Sequence, residues 1–162
     1  MSSMANTLIT KMAVTVYVLL FLMISAGCER ELEIRPSGEV IKLGVIGPFS
    51  GDDKAKGLDG TEGIKTAMQL APLLGNGDKI ELVIEDDQNQ PEKTASALKR
   101  LANEEKVSAV LLMSTSASAL AVRSLAENIK IPVLAMLATH PDITLDNNYI
   151  SQLVFDDTSQ GT

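Results

Sequence analysis

The chain has 162 residues and a formal net charge of −7 at neutral pH, with 21 acidic and 14 basic side chains. An acidic surface of this kind argues against a nucleic-acid partner, because phosphate contacts need clustered lysine and arginine. Aromatic residues make up 3% of the chain and tryptophan is absent, which leaves little material for stacking on bases or sugars.

The first 28 residues are typical of an export signal. Lys11 is the one charged side chain before an apolar segment, Met12–Ile24, which leads to small residues and a cysteine. This order of basic, apolar and small residues matches a secretory signal. The apolar segment is shorter than the roughly 17 residues that a membrane span requires. We therefore expect the protein to be exported.

Cys28 is the only cysteine of the chain, so an internal disulfide is impossible. The small residues before it resemble a bacterial lipobox, in which the cysteine is lipidated and becomes the new amino terminus. We expect residues 1–27 to be a lipoprotein signal peptide, and Cys28 to anchor the protein to the cell membrane or outer membrane, facing the periplasm or the exterior. Ser25 stands where the motif usually has leucine, so ordinary cleavage at Gly27 or an uncleaved anchor are alternatives.

The rest of the chain alternates between strand and helix patterns. Residues 28–39 are charged, contain Pro36 and Gly38, and are expected to form a tether. Apolar segments rich in β-branched residues then predict five strands, at Val40–Ile46, Lys79–Glu85, Val107–Met113, Ile131–Met136 and Tyr149–Phe155. This alternation predicts an α/β fold over residues 40–162, with a doubly wound, mostly parallel sheet.

Apolar residues at helical spacing predict a helix after each of the first three strands. The first helix should end near Leu74, and glycines at its start indicate close packing or a loose helix entry rather than phosphate binding. The glycines are Gly57, Gly60 and Gly63, and the predicted stripes are Ile64, Ala67, Met68 and Ala71, then Ala97, Leu98, Leu101 and Ala102, then Leu120, Ala121 and Leu125.

Hydroxyl side chains follow the third strand where the next helix begins, at Ser114, Thr115, Ser116 and Ser118. A second polar segment, 137–142, follows the fourth strand. In a parallel sheet these segments meet at the carboxyl edge, where ligands bind. The hydroxyls can cap the helix, or they can share its free N–H groups with an anion such as a carboxylate.

Enzymatic chemistry finds little support in these residues. His140 is the only histidine, and its place in a loop before a proline is more typical of a surface group than of a base. The serines lack the flanking glycines of a nucleophile elbow, and no residues have metal-ligand spacing. We predict no catalytic residue, no metal site and no cofactor.

Several segments taken together resemble a known family. The succession IKLGVIGPFSG, GDKIELVIEDDQNQPEKTASALKRL, VSAVLLMSTSASALAVRSLAENIKIPVLAMLATHPDIT and FDDTSQGT resembles the amino-terminal lobe of type I periplasmic binding proteins. Among these proteins it is most similar to the leucine/isoleucine/valine-type receptors of ABC importers. The resemblance covers residues 40–162 and implies a single lobe of a protein that closes two α/β lobes around an amino acid or a related small molecule.

The resemblance also implies the ligand contacts. Ser116 would hold the ligand carboxylate, and Ser118 at the helix start would assist. Thr139, with the carbonyl of Leu137, would take the ammonium or share the carboxylate. Family members often have an aromatic residue where this chain has Lys56, which leaves a polar or acidic ligand open.

Members of the family continue through a second lobe, so we expect this chain to be truncated and to capture ligand weakly or not at all alone. It would be a fragment, or it would need a partner that carries the second lobe. The implied function is that of a lipid-anchored solute-binding protein, with a small-molecule ligand and an ABC-importer permease as partners. The alternative is a lipid-anchored envelope module that interacts or regulates without transport.

Overall fold

The computed structural model describes residues 38–160, which fold around a five-stranded parallel sheet. The strands are β1 (Val40–Gly47), β2 (Lys79–Asp86), β3 (Ala109–Leu112), β4 (Val133–Ala135) and β5 (Ile150–Gln152). Their order is β2-β1-β3-β4-β5, and every neighbouring pair runs parallel. The predicted fold class is therefore confirmed. The predicted signal peptide, Cys28 and most of the tether lie outside the described residues.

The helices are α1 (Lys54–Leu70), α2 (Pro91–Asn103), α3 (Ser116–Ile129) and α4 (Asp157–Gln160), with a 3-10 turn at Pro141–Ile143. Helices α2 and α3 cover one face of the sheet, and α1 lies on the opposite face. The chain therefore winds in both directions from β1, and the reversal point falls between β1 and β3. Ligands of open α/β sheets bind at such a point. Within residues 38–160, none of these helices has the length and apolar character needed to cross a membrane.

The last three strands are shorter than predicted. Strand β3 begins at Ala109 instead of Val107, and β4 keeps three residues of the six predicted. Strand β5 ends at Gln152, because it pairs with β4 over three residues only. The apolar residues on either side of these strands lie in loops, because the hydrogen bonds between two parallel strands end where the shorter strand ends.

The core lies between the sheet and helices α2 and α3. The predicted stripe of α2 is confirmed, with Ala97, Leu98 and Leu101 buried. The predicted stripe of α3 is wrong by about one residue. Its buried face carries Ala119, Val122 and Ala126, whereas Leu120 and Leu125 are half-buried and Ala121 is exposed. Small residues on the inner face let α3 approach the sheet closely, and the larger leucines lie at its flanks.

Helix α1 packs in a way that its apolar pattern did not predict. It begins at Lys54 and ends at Leu70 rather than near Leu74. Its buried residues are Gly57 and Thr61, while Ala67 and Ala71 are exposed. A methyl group added to Gly57 would overlap the Pro48 carbonyl oxygen. Gly57 and Gly60 therefore provide close packing, as one of the two sequence interpretations proposed, and they hold the first half of α1 against Pro48 and Met113, whereas Gly63 has no neighbour within 4 Å.

Candidate functional site

A recess of about 390 Å3 opens at the carboxyl ends of β1, β3 and β4, at the reversal point of the sheet. Residues that follow these strands line it, together with one residue of α1 and one that follows β2. The lining consists of Pro48, Lys56, Asn89, Met113, Ser114, Thr115, Ser116, Leu137 and Thr139. Three of the four ligand residues implied by the sequence, Ser116, Leu137 and Thr139, thus lie together in one cavity.

Ser116 and Thr139 are in direct contact across the ends of β3 and β4. Ser116 Oγ accepts hydrogen bonds from the backbone N–H of Thr139 at 3.1 Å and from that of His140 at 3.3 Å. A hydroxyl has two lone pairs and one proton. Because both lone pairs are occupied, the Ser116 hydroxyl can offer only its proton to a further partner. Two N–H donors also polarise the O–H bond, which strengthens it as a donor to an anion.

Two further groups at the recess can hydrogen-bond to a ligand. The Thr139 hydroxyl and the Leu137 carbonyl have no partner among the described residues. The Thr139 carbonyl, in contrast, accepts from the N–H of Asp157 at 2.9 Å. No side chain caps α3 at its N-cap residue, Thr115, so the N–H of Ser116, which lines the recess, is also left for a ligand. The recess therefore offers donors for a carboxylate and a carbonyl acceptor for an ammonium.

Ser118 lies elsewhere. Its side chain is fully buried beneath the recess, and its Oγ is 2.9 Å from Thr94 Oγ1. Two residues along a helix correspond to a rotation of about 200°. Ser116 and Ser118 therefore point to opposite sides of α3, and Ser118 is not among the residues that line the cavity.

Ser118 belongs to a buried network centred on Asp87, which is fully buried. The hydroxyls of Thr94 and Ser114 each donate to Asp87 Oδ2 at 2.6 Å, and the N–H of Asn89 donates to Oδ1 at 2.8 Å. A buried carboxylate is stable only when such donors surround it. The network ties the end of β2 to the starts of α2 and α3, and it fixes the floor on which the recess rests.

A chain of side chains crosses the wall of the recess from α1 to α3. Lys56 Nζ donates to Asp53 Oδ1 at 2.6 Å, and Asn89 Nδ2 donates to Asp53 Oδ2 at 2.8 Å. Asn89 Oδ1 accepts from the N–H of Thr115 at 3.0 Å and from its hydroxyl at 2.8 Å. The hydrogen bond from Lys56, with that from Asn89, holds the pKa of Asp53 below its ordinary value of 3.8. We call these four residues the wall bridge.

Asp86 fixes the loop that follows β1. Its Oδ1 accepts from the N–H of Phe49 at 2.8 Å, and its Oδ2 accepts from the Ser50 hydroxyl at 2.6 Å. Burial opposes ionisation of this carboxylate, but the hydrogen bonds from Ser50, Phe49 and Gln88 together outweigh it and lower the pKa of Asp86. Pro48, which lines the recess, is held in place by this anchor.

The other titratable groups near the recess form no metal site. Among the described residues, no three His, Cys, Asp or Glu side chains are grouped so that they could hold a metal ion. His140 is half-exposed, and its Nδ1 accepts from the N–H of Asp142 at 3.2 Å. The polar groups that line the recess are hydroxyls, backbone groups, the Asn89 amide and one lysine.

Comparison with protein families identifies this architecture. A family model described as periplasmic binding protein matches residues 40–162. The chain belongs to the periplasmic binding protein family. The resemblance seen in the sequence is thereby confirmed, and the recess lies in the part of this periplasmic binding protein that the family model covers. The family is one of binding proteins that serve transporters rather than of enzymes.

Solved structures agree with this assignment. The chain is similar to the leucine-binding protein LivK of Thermotoga maritima, with 34% identity and a TM-score of 0.69. It is also similar to LivJ of Streptococcus pneumoniae, solved with isoleucine, at 27% identity and a TM-score of 0.68. A third similar structure is an ABC-transporter solute-binding protein of Rhodopseudomonas palustris, solved with 3,4-dihydroxybenzoic acid, at 28% identity and a TM-score of 0.68.

These matches cover 75%, 74% and 72% of this chain, and 34%, 35% and 32% of the solved chains, in the same order. The chain thus spans about a third of the length of the structures that it matches. None of the curated proteins matches it.

Sequence reasoning missed the wall bridge. The wall bridge joins residues far apart in the chain, with Asn89 36 positions from Asp53 and 26 from Thr115. Asn89 has a positive φ of 56°, as does Gln88 with 51°. An asparagine between a strand end and Pro91 is the one local signal that could have suggested such a turn, because asparagine tolerates this conformation.

Proposed function

We propose that this chain is the ligand-recognising part of an exported solute-binding protein of an ABC importer, and that its recess takes an amino acid or a similar small polar molecule. The Ser116 hydroxyl carries the proposal, because its two lone pairs are occupied and only its proton is left to donate. A ligand carboxylate is the natural acceptor for that proton. The Leu137 carbonyl, which lacks a described donor, suits the ligand ammonium.

The comparisons support this choice of ligand. LivJ was solved with isoleucine and the Rhodopseudomonas palustris protein with 3,4-dihydroxybenzoic acid, and both compounds carry a carboxylate. The proposed contacts need no full charge at Ser116 and Thr139, since hydroxyls and N–H groups at a helix start already favour an anion.

The test is a titration of the full chain in detergent micelles with a panel of L-amino acids, followed by NMR of the Ser116 and Thr139 amides. Thr139→Val is the sharpest variant, because it removes a hydroxyl without a described partner and keeps the shape of the side chain. It should weaken binding by about 1–3 kcal/mol, the cost of leaving a buried ligand group unpaired. Ser124, exposed on the same helix as Ser116, supplies the control variant Ser124→Ala.

Ser116→Ala should weaken binding by a similar amount, and it should also destabilise the fold because the Thr139 and His140 amides lose their acceptor. Unchanged affinity in Thr139→Val would remove that residue from the site. A well-folded chain whose amides respond to no amino acid would contradict the proposal. That result would favour the alternative, a lipid-anchored module that interacts with envelope proteins without transport.

We also propose that Cys28 is lipidated and holds the protein at a membrane surface, with the permease of the importer as its partner there. The support is the pattern of the leader and the extracytoplasmic location that the family implies. Metabolic labelling with a fatty acid should mark the wild type and not the Cys28→Ala variant. Equal labelling of the two proteins would refute the anchor.

A further inference from the structure

Lys56 stands where two cavities meet. It lines the recess, and it also lines an adjoining groove of about 370 Å3 between α1 and the ends of β4 and β5. Met113 and Leu137 are likewise common to both cavities, while Met136 and Leu153 add apolar surface to the groove and Asp59 adds one carboxylate. A ligand whose head group is held at Ser116 would extend past the Lys56 ammonium on its way from the recess into the groove.

The ammonium is already held in position. Lys56 Nζ is 2.6 Å from Asp53 Oδ1, and Asp53 is fixed in turn by Asn89 through the wall bridge. An ammonium has three N–H donors, and the described residues use one of them. Lysine loses much rotamer freedom when it is ordered. The Lys56 side chain is 50% exposed, so its pairing with Asp53 removes part of this freedom before a ligand arrives and the rest is lost on binding.

Lys56 differs from the rest of the recess in charge. Among the described residues that line the recess, it is the one with an ionised side chain. Three successive hydrogen bonds of the wall bridge separate its ammonium from Thr115 at the start of α3. The ammonium and the Ser116 hydroxyl therefore contact different parts of a bound molecule. One carboxylate at Ser116 leaves the two N–H donors of Lys56 that Asp53 does not use for a second acidic group.

We propose that Lys56 determines specificity and selects ligands with a second acidic group, such as acidic amino acids. The proposal rests on the function given above, in that Ser116 takes the α-carboxylate. The side-chain carboxylate then accepts from Lys56 Nζ at the boundary of recess and groove, and charge-assisted hydrogen bonds of this kind are stronger than neutral ones. An amide or an aliphatic side chain at the same place gains no such bond.

The test compares L-glutamate with L-glutamine, which has the same shape and no second charge, and with L-leucine. The full chain is titrated in detergent micelles while the Ser116 and Thr139 amides are followed by NMR. We expect L-glutamate to bind about tenfold more tightly than L-glutamine, the effect of one charge-assisted hydrogen bond. The variant Lys56→Met should abolish this preference and lower the affinity for L-glutamate about tenfold more than the affinity for L-leucine.

Lys65 provides a matched control on the same helix. Its Nζ pairs with Glu62 three residues before it, at 2.8 Å, as Lys56 pairs with Asp53, and the exposed fractions of the two lysine side chains are 51% and 50%. It lines neither cavity. Lys65→Met should therefore keep the tenfold preference.

The outcomes separate this inference from the proposed function. Equal affinities for L-glutamate and L-glutamine in the wild type would overturn the inference alone. So would a Lys56→Met variant that keeps the preference, or one that loses affinity for all three compounds equally, which would make Lys56 a structural part of the wall bridge. If none of the three compounds, nor any other amino acid, shifts the two amides, the proposed function fails and the inference fails with it.

Discussion

Two glycines of helix α1 should respond in opposite directions to the same substitution. Gly57 and Gly63 both lie inside the helix, and neither has a positive φ. A methyl group added at Gly57 would overlap the Pro48 carbonyl oxygen and lie 2.9 Å from its carbon, whereas one added at Gly63 meets nothing within 4 Å. The pair therefore separates helix propensity from packing within one element.

The magnitudes follow from these contacts. Alanine is preferred over glycine in a helix by about 1 kcal/mol, so Gly63→Ala should stabilise the protein by about that amount. At Gly57 the obstacle is backbone, which cannot rotate away, so overpacking should cost about 3 kcal/mol, at the upper end of its usual range. After the propensity gain, Gly57→Ala should lose about 2 kcal/mol of the free energy of unfolding.

Urea unfolding of the full chain in a mild detergent, followed by circular dichroism, measures both changes. With a denaturant slope of about 2 kcal/mol per molar, Gly57→Ala should unfold about 1 M earlier than the wild type, and Gly63→Ala about 0.5 M later. The reasoning would be refuted if the two variants shifted in the same direction. A stabilised Gly57→Ala variant would also show that α1 does not approach the loop after β1 as closely as described.

Further substitutions test the Asp86 carboxylate, which holds the loop after β1, and the buried hydroxyl of Ser118. The folded pKa of Asp86 lies below its unfolded value, so its stabilisation is present above the ordinary carboxyl pKa of 3.8 and is lost as pH falls through the folded pKa. The destabilisation by Asp86→Asn should therefore shrink in acid, and a pH-independent loss in urea titrations would contradict this. Ser118→Ala should destabilise by about 1–2 kcal/mol through its buried partner Thr94, while the exposed Ser124→Ala should change stability by less than about 0.5 kcal/mol; calorimetric unfolding compares the two. Asn147→Ala should cost about 1–3 kcal/mol in an unfolding titration, because the N–H groups of Tyr149 and Ile150 at the start of β5 lose their acceptor.

The sequence predicted the architecture because the relevant signals are local. Strand and helix patterns recur within a few residues, and the stripe of α2 at Ala97, Leu98 and Leu101 is buried as its spacing required. Parallel strands place their carboxyl ends at one edge of the sheet. The hydroxyls after β3 and the polar segment after β4 therefore lie next to each other. The contact between Ser116 and Thr139 follows from that topology.

The helix phases could not be read from the pattern alone. Ser116 and Ser118 are chemically identical, yet one faces the recess and the other the buried network of Asp87. Which of them faces the ligand depends on the residue at which α3 begins. For the same reason the predicted stripe of α3 differs from the buried residues Ala119 and Val122. In α1 the closest packing is made by a glycine, Gly57, and a search for apolar residues does not detect it.

What the amino-acid sequence determined by itself is the order of elements, the parallel sheet and the edge at which the polar residues gather, since these depend on short-range periodicity and chain connectivity. The tertiary structure decided which groups keep free hydrogen-bonding capacity at that edge. The Asp53–Asn89 bond joins residues 36 positions apart, and the bond from Thr115 to Asn89 spans 26. Such hydrogen bonds form only when the chain has folded. Together with the contacts of Ser116 to the Thr139 and His140 amides, they determine which N–H and O–H donors of Lys56 and Ser116 remain for a ligand.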